Sequence, residues 1–173
     1  MLKKYWSLLI LTVLFVIPGI AAYVVYQNPS LLASQSTNHG SFVKPPVKII
    51  QLPGVKKWRL VYFNNGDCNE ICMGSLDKLA RIRLALGRRL YNVDSYLFLP
   101  KSAADINQEQ QKVLDDVGIQ MQKINPSKQQ YHQVFSQTSG YYIISPEKYV
   151  ILAYSAASSA DDIYTDLKKL VND

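Results

Sequence analysis

The chain has 173 residues, of which 48% are hydrophobic, and a formal net charge of +6. This length suits one folded domain with accessory segments. The basic residues form no run with interleaved aromatic side chains, which disfavours nucleic acid as a partner. The sequence also lacks a glycine-rich phosphate-binding loop and a recognisable acid–histidine–serine set, so phosphate-loop enzymes and serine hydrolases are disfavoured.

The first feature along the chain is an apolar segment, Tyr5 to Tyr26, that contains no charged residue. As a helix, such a segment can cross a hydrocarbon core of about 30 Å. Lys3 and Lys4 precede it, and the next basic residue is Lys44, so the positive-inside rule predicts a cytoplasmic N-terminus. A cleaved signal peptide is the alternative, but the small residues near the end make a poor cleavage site. We expect a single-pass protein of the bacterial inner membrane with its C-terminal domain in the periplasm.

The segment after the anchor has a different composition. Proline and glycine interrupt residues 27–57, with serine, threonine and asparagine between them. This composition predicts a tether, with one short strand around Val47 to Leu52. The predicted organisation is a cytoplasmic tip at residues 1–4, an anchor at 5–26, the tether at 27–57 and a folded domain at 58–173.

The folded domain shows alternating strand and helix patterns in its first half. The predicted elements are a strand at 58–63, a helix after it, a strand at 93–99, a helix at 105–117, a strand at 119–124, a hairpin of 141–144 and 149–154, and a helix from about Ser159. Alternation implies parallel strands joined by right-handed crossovers, and the hairpin adds antiparallel strands. We predict an α/β fold, a thioredoxin-like mixed sheet with helices on both faces.

The cysteines of the chain are Cys68 and Cys72, four residues apart. On a helix this spacing puts both thiols on one face, where they can form a disulfide or hold one soft metal ion. They fall between the first strand of the domain and its first helix, and a helix N-terminus favours the thiolate. We predict Cys68 as the nucleophile and Cys72 as the resolving cysteine. The alternative is a permanent disulfide that only pins the turn.

Metal binding by the two thiolates would require a third ligand, and two thiolates with an imidazole suit copper. The histidines are His39 in the tether and His132 before the hairpin. We expect His132 to be the better ligand, with a solvated surface side chain as the alternative. Met73 is a further soft ligand candidate, although packing is the usual role of such a methionine.

Several segments together resemble the Sco/SenC family. They are Asn38-His39-Gly40 followed by Pro45-Pro46, the strand at 58–63, the Cys-x3-Cys of Cys68 and Cys72, and the hairpin segment Tyr141 to Pro146. The resemblance implies a membrane-anchored, thioredoxin-like protein that assists copper insertion into cytochrome c oxidase. It also implies copper(I) as cofactor and a respiratory oxidase subunit or copper-site assembly protein as partner.

Two positions depart from this family. Met73 stands where the family has a proline after the second cysteine, and Gln137 stands where it has its copper-binding histidine. These departures favour a thiol–disulfide role, or copper held weakly by two thiolates. A general periplasmic thiol oxidoreductase and a non-catalytic interaction module with a structural disulfide remain as alternatives.

Overall fold

The structure is a computed structural model that describes residues 2–28, 38–50, 52–53, 56–126, 129–135 and 138–172. The chain consists of two compact units, Met1–Thr37 and Asn38–Asp173. The domain boundaries predicted after residues 4, 26 and 57 stay predictions.

In the described part of the first unit, residues 2–28, the chain forms the helix α1 (Leu2–Gln27), with Pro18 inside it. Its segment Leu9–Gln27 has a mean hydropathy of 2.4 and is long and apolar enough to cross a membrane. Apart from the half-buried Val25, the apolar side chains described along this segment are exposed, as expected for a helix whose apolar surface is covered by lipid. This is the membrane-span candidate that the sequence predicts.

A mixed six-stranded sheet forms the centre of the second unit. Its strands are β1 (Ser41–Lys48), β2 (Trp58–Phe63), β3 (Val93–Pro100), β4 (Ile119–Ile124), β5 (Gly140–Ile144) and β6 (Tyr149–Ser155). They lie in the order β1-β6-β5-β2-β3-β4. The β2–β3 and β3–β4 pairs are parallel, whereas β5 and β6 form an antiparallel hairpin whose first strand pairs with β2. The predicted mixed sheet is therefore confirmed.

Helices pack on both faces of the sheet. They are α2 (Glu70–Ala85), α3 (Gln108–Asp116), α4 (Gln129–Phe135) and α5 (Ala160–Asn172), with a 3-10 helix at Gly87–Asn92. Side chains of β2 alternate between two apolar cores: Leu60 and Tyr62 face α2, α3 and α5, while Val61 and Phe63 face α4. Phe135 of α4 lies with its ring centroid 5.2 Å from that of Phe63. The thioredoxin-like fold class with helices on both faces is confirmed.

The start of the sheet differs from the sequence prediction. Residues 41–48, predicted as tether, form the edge strand β1 against β6, and the strand expected around Val47 to Leu52 ends at Lys48. The pair Pro45-Pro46 argued against a strand, but an edge position tolerates proline, and the register with β6 is irregular between Phe42 and Val47.

Two local predictions in the second half also change. The helix predicted at 105–117 begins only at Gln108, because Asn107 caps it. The segment around His132, where the sequence predicted neither a helix nor a strand, forms the short helix α4. Burial of Tyr131 and Phe135 against the sheet provides the packing that stabilises so short a helix.

Asp166 of α5 fixes the first residues of the second unit. Its buried Oδ2 accepts hydrogen bonds from the backbone N–H groups of His39 (2.6 Å) and Gly40 (3.0 Å) and from the Tyr154 hydroxyl (2.9 Å). A Cβ on Gly40 would lie 2.5 Å from the Tyr154 ring, so glycine is required there. Burial and the Asp166 carboxylate raise the pKa of Tyr154, which therefore stays a neutral hydrogen-bond donor.

Candidate functional site

A short polar loop joins the end of β2 to the start of α2. The backbone N–H of Asn64 continues the sheet by donating to the carbonyl oxygen of Phe98 at 3.0 Å. The side-chain amide of Asn64 then donates to the carbonyl oxygens of Gly66 (3.1 Å) and Asp67 (2.9 Å). The Asn64 side chain thus closes residues 64–67 into a turn. Cys68 follows this turn and lies directly before the start of α2.

Cys68 and Cys72 are joined by a disulfide, with their Cα atoms 5.1 Å apart. Asn69 is the N-cap of α2, and its side-chain oxygen accepts a hydrogen bond from the Cys72 N–H at 3.1 Å. Cys72 is fully buried in the core beneath α2, whereas Cys68 is half-buried. The pair is therefore asymmetric, and a partner approaching from solvent meets Cys68 first.

The segment around Cys68 is also held from the side of α3. The Asp67 carboxylate accepts a hydrogen bond from the Ala104 N–H at 2.7 Å. The Gln110 side-chain amide donates to the Cys68 carbonyl oxygen at 2.9 Å, and its oxygen accepts from the Asn107 N–H in a capping box. The contacts with Ala104 and Gln110 therefore fix the backbone at Asp67 and Cys68 and with it the position of the disulfide.

A cavity of about 450 Å³ opens at the β2–α2 loop, and its lining includes Asp67 and Asn69, the residues on either side of Cys68. It is lined by residues of the β2–α2 loop together with Tyr62, Ile71, Ser139 and Ala156. The Ser139 hydroxyl accepts a hydrogen bond from the Asn65 N–H (3.0 Å) and donates one to the Asn64 side chain (3.1 Å). The chain before β5 is thereby joined to the loop that carries Cys68, and the cavity lies between them.

Tyr141 of β5 contacts α2, the helix that carries Cys72. Its buried hydroxyl donates to the Ser75 carbonyl oxygen at 3.1 Å, and its ring lies 4.9 Å from that of Tyr62. Burial raises the pKa of Tyr141 to about 12. The hydroxyl is therefore neutral near pH 7, and its hydrogen bond to Ser75 stabilises the position of α2.

The soft donors of the site lie close together, whereas the histidines do not join them. The Met73 Sδ lies 4.0 Å from the Cys68 Sγ. His132 is exposed on α4, and His39 contacts Asp162 at 3.2 Å. Within the described ranges, no three His, Cys, Asp or Glu side chains are grouped to hold a metal. The role of His132 as ligand stays a prediction, and Gln137 lies outside the described residues.

The residues that support the cysteine loop could not be identified from the sequence. Gln110 and Ser139 lie far from the cysteines along the chain, so spacing alone gives no link. One local signal existed, because Asn107 followed three residues later by Gln110 is the pattern of a capping box. That pattern predicts the helix start but not the contact with Cys68.

Comparisons with known proteins agree with this architecture. The family model described as "Transmembrane-like, thioredoxin-like, C-terminal domain" matches residues 58–172. No curated protein matches the chain in sequence.

Solved structures with a similar fold include two Sco proteins. Copper-bound ScoI of Arabidopsis thaliana is 17% identical with a TM-score of 0.53, over 68% of this chain and 86% of that one. Apo Sco1 of Thermus thermophilus is 16% identical with a TM-score of 0.53, over 79% and 98%.

A secreted thiol-disulfide isomerase of Corynebacterium glutamicum is also similar. It is 11% identical with a TM-score of 0.54, over 80% of this chain and 95% of that one. At these identities the similarity shows the fold, and at that level the predicted resemblance to Sco proteins is confirmed. The chain belongs to the family of transmembrane-like proteins with a thioredoxin-like C-terminal domain.

Proposed function

We propose that this chain is a membrane-anchored thiol–disulfide protein of the bacterial inner membrane, with its N-terminus in the cytoplasm and its folded domain in the periplasm. The observation that carries the proposal is the asymmetric disulfide at the start of α2, with Cys68 half-buried and Cys72 fully buried. In the oxidising periplasm the pair rests as a disulfide until a dithiol protein, distinct from the substrate disulfide, reduces it by thiol–disulfide exchange.

The proposed reaction is a two-electron exchange with a disulfide of a partner protein. The reduced Cys68 thiolate attacks one partner sulfur, a mixed disulfide forms, and the other partner sulfur leaves as a thiolate that takes up a proton. Cys72, having lost its proton, then attacks the Cys68 Sγ. The intramolecular disulfide forms again and the first partner sulfur leaves as a thiol. The partner is reduced and the Cys68–Cys72 pair is oxidised.

For the pathway we propose respiratory oxidase assembly, with an oxidase subunit or a copper-site assembly protein as partner. The support is the apolar helix at the N-terminal end of the described residues, together with a fold like that of copper-bound and apo Sco proteins. Reduction of cysteines in a copper site before metal insertion is the step that such a pair would perform. A chromosomal double variant, Cys68→Ser with Cys72→Ser, is expected to lower oxidase copper content, and normal content would contradict this pathway.

Copper(I) is the second candidate substrate of the same site, carried by the reduced thiols. The proximity of the Met73 thioether to Cys68 favours it, because sulfur donors suit copper(I). His132 remains a proposed additional ligand. In a competition with a copper(I) chelator, the reduced chain should retain more copper than the double serine variant. Equal retention would end the copper proposal and leave the redox role in place.

A general thiol oxidoreductase is the main alternative, and the fold likeness to a secreted thiol-disulfide isomerase favours it. The redox role is tested by equilibrating the full chain, in detergent, with dithiothreitol buffers and counting free thiols by alkylation. We expect a reversible two-electron transition of the folded protein. Reduction only after unfolding would instead indicate a structural disulfide and an interaction module.

A further inference from the structure

The surface beside Cys68 has a defined charge. Asp67 precedes Cys68 and Glu70 follows it by two residues, and both are exposed. Among the described residues that line the adjacent cavity, Asp67 is the charged one. The Asp67 Oδ1 is held by the Ala104 N–H, so its carboxylate stays in place beside the disulfide.

Two of the lysines at this end of the sheet, Lys78 and Lys123, are engaged with other groups. The Lys78 ammonium donates to the carbonyl oxygens of Ala156 (3.1 Å) and Ser158 (3.2 Å) and lies 5.1 Å from the centre of the Tyr141 ring. Lys123 pairs with Asp105 at 2.6 Å. Lys101 is exposed at the end of β3. The residues immediately around Cys68 therefore present negative charge to an approaching disulfide.

The same surface carries an exposed apolar side chain. Ile71 lies in the first turn of α2, between the two cysteines, lines the cavity and is 77% exposed. The buried face of α2 consists of Cys72 and the residues that follow it at helical spacing, so Ile71 points away from the core. Ile71 therefore offers apolar area that a polypeptide bound at this cavity could bury.

On the basis of the proposed function, we infer that Asp67, Glu70 and Ile71 form a selection surface that admits polypeptide disulfides flanked by apolar, neutral or cationic residues and disfavours anionic small-molecule disulfides. The charges act on the approach of the substrate and on its mixed disulfide with Cys68. Ile71 contributes by covering an apolar side chain of the polypeptide. The chemistry is the exchange described above, and only the choice of partner differs.

The charge element is tested with small disulfides that differ in charge. The reduced full chain, in non-ionic detergent at low salt, is oxidised by hydroxyethyl disulfide (neutral), cystamine (cationic) or dithiodipropionate (anionic). Each oxidation rate is divided by the rate with the neutral probe, and this ratio is compared between the variant and the wild type. The intrinsic reactivity of each probe then cancels. In Glu70→Gln the relative anionic rate should rise, and the relative cationic rate fall, by about threefold. Glu147→Gln, an exposed glutamate in the β5–β6 turn, is the matched control.

The apolar element is tested with neutral, blocked peptide disulfides that carry leucine or serine beside the cysteine. Wild type should prefer the leucine peptide, and Ile71→Ser should reduce that preference by about tenfold. Leu84→Ser removes another exposed apolar residue of α2 and should keep the preference. An unchanged leucine-to-serine ratio in Ile71→Ser would overturn the apolar element.

The outcomes separate this inference from the function on which it rests. If wild type exchanges with none of the three small disulfides or the peptides, the proposed redox function fails. If it exchanges with all of them, and the ratios respond to neither Glu70→Gln nor Ile71→Ser, the redox function stands and the selection surface is overturned. Equal responses of Glu70→Gln and Glu147→Gln would show general charge steering and would also overturn it.

Discussion

The Gln110 side-chain amide donates a 2.9 Å hydrogen bond to the backbone carbonyl oxygen of Cys68. The oxygen of the same amide caps α3 through the Asn107 N–H. One side chain therefore links the start of α3 to the residue that we propose as the nucleophile. The position of Cys68 depends on this link, because the loop before α2 contains no strand or helix of its own.

Substitution of Gln110 by methionine should loosen this loop. Gln110→Met keeps the length of the side chain but removes both hydrogen bonds, so we expect a loss of about 1–2 kcal/mol in the free energy of unfolding. Amide hydrogen exchange should rise in residues 64–69. Gln111→Met is the matched control, because the Gln111 side-chain amide donates a hydrogen bond to the Asp115 carboxylate within α3 and not to the cysteine loop. Equal exchange in the two variants would show that Gln110 does not hold the loop.

Two glycines should respond to alanine in opposite directions. A Cβ on Gly140 would lie 2.5 Å from the Tyr154 carbonyl oxygen, so Gly140→Ala must force β5 and β6 apart and should cost about 1–3 kcal/mol. At Gly74, within α2, an added Cβ would meet no described atom within 4 Å beyond the backbone of its own helix. Gly74→Ala should therefore stabilise the fold by about 1 kcal/mol. Unfolding free energies of the two variants measure both effects. A tolerated Gly140→Ala would contradict the close strand approach.

The sequence predicted the centre of the fold better than its edge. The strand at 58–63 and the face of α2 that carries Cys72 are periodic and apolar, and burial in the core preserves these patterns. β1 could not be predicted in the same way, since its exposed residues and its two prolines resemble a loop. Its pairing comes from β6, more than a hundred residues further along the chain.

The candidate site could likewise be predicted only in part from the sequence. Local spacing was sufficient to place Cys68 and Cys72 together at a helix start, because a separation of four residues there keeps the two Cα atoms within 5.1 Å, although Cys68 itself lies just before the N-cap of α2. The groups that hold them come from distant segments, and it is the arrangement of the sheet that brings Gln110 and Ser139 to the loop. Such contacts depend on the topology of the sheet, which short-range patterns do not contain.

Stability should fall at alkaline pH because of buried tyrosines. Burial raises the pKa of Tyr141 to about 12, whereas an unfolded tyrosine titrates near 10. The favourable contribution is therefore complete below pH 10 and is lost as the pH rises towards 12, since the unfolded state releases the proton first. Tyr141→Phe should flatten the decline in thermal midpoint between pH 10 and 11.5. Tyr91→Phe, at a residue 73% exposed, should leave the decline unchanged, and equal slopes in both variants would contradict the assignment.

The most direct test of the redox role is trapping of the mixed disulfide in cells. The full chain with Cys72→Ser keeps Cys68 but lacks the resolving thiol. It should therefore accumulate mixed disulfides with a partner protein, and dithiothreitol should cleave these complexes. Cys68→Ser should accumulate few, because Cys72 is fully buried. Trapping by Cys72→Ser alone is the predicted result. Equal trapping by both variants, or by neither, would contradict the assignment of Cys68 as the attacking cysteine.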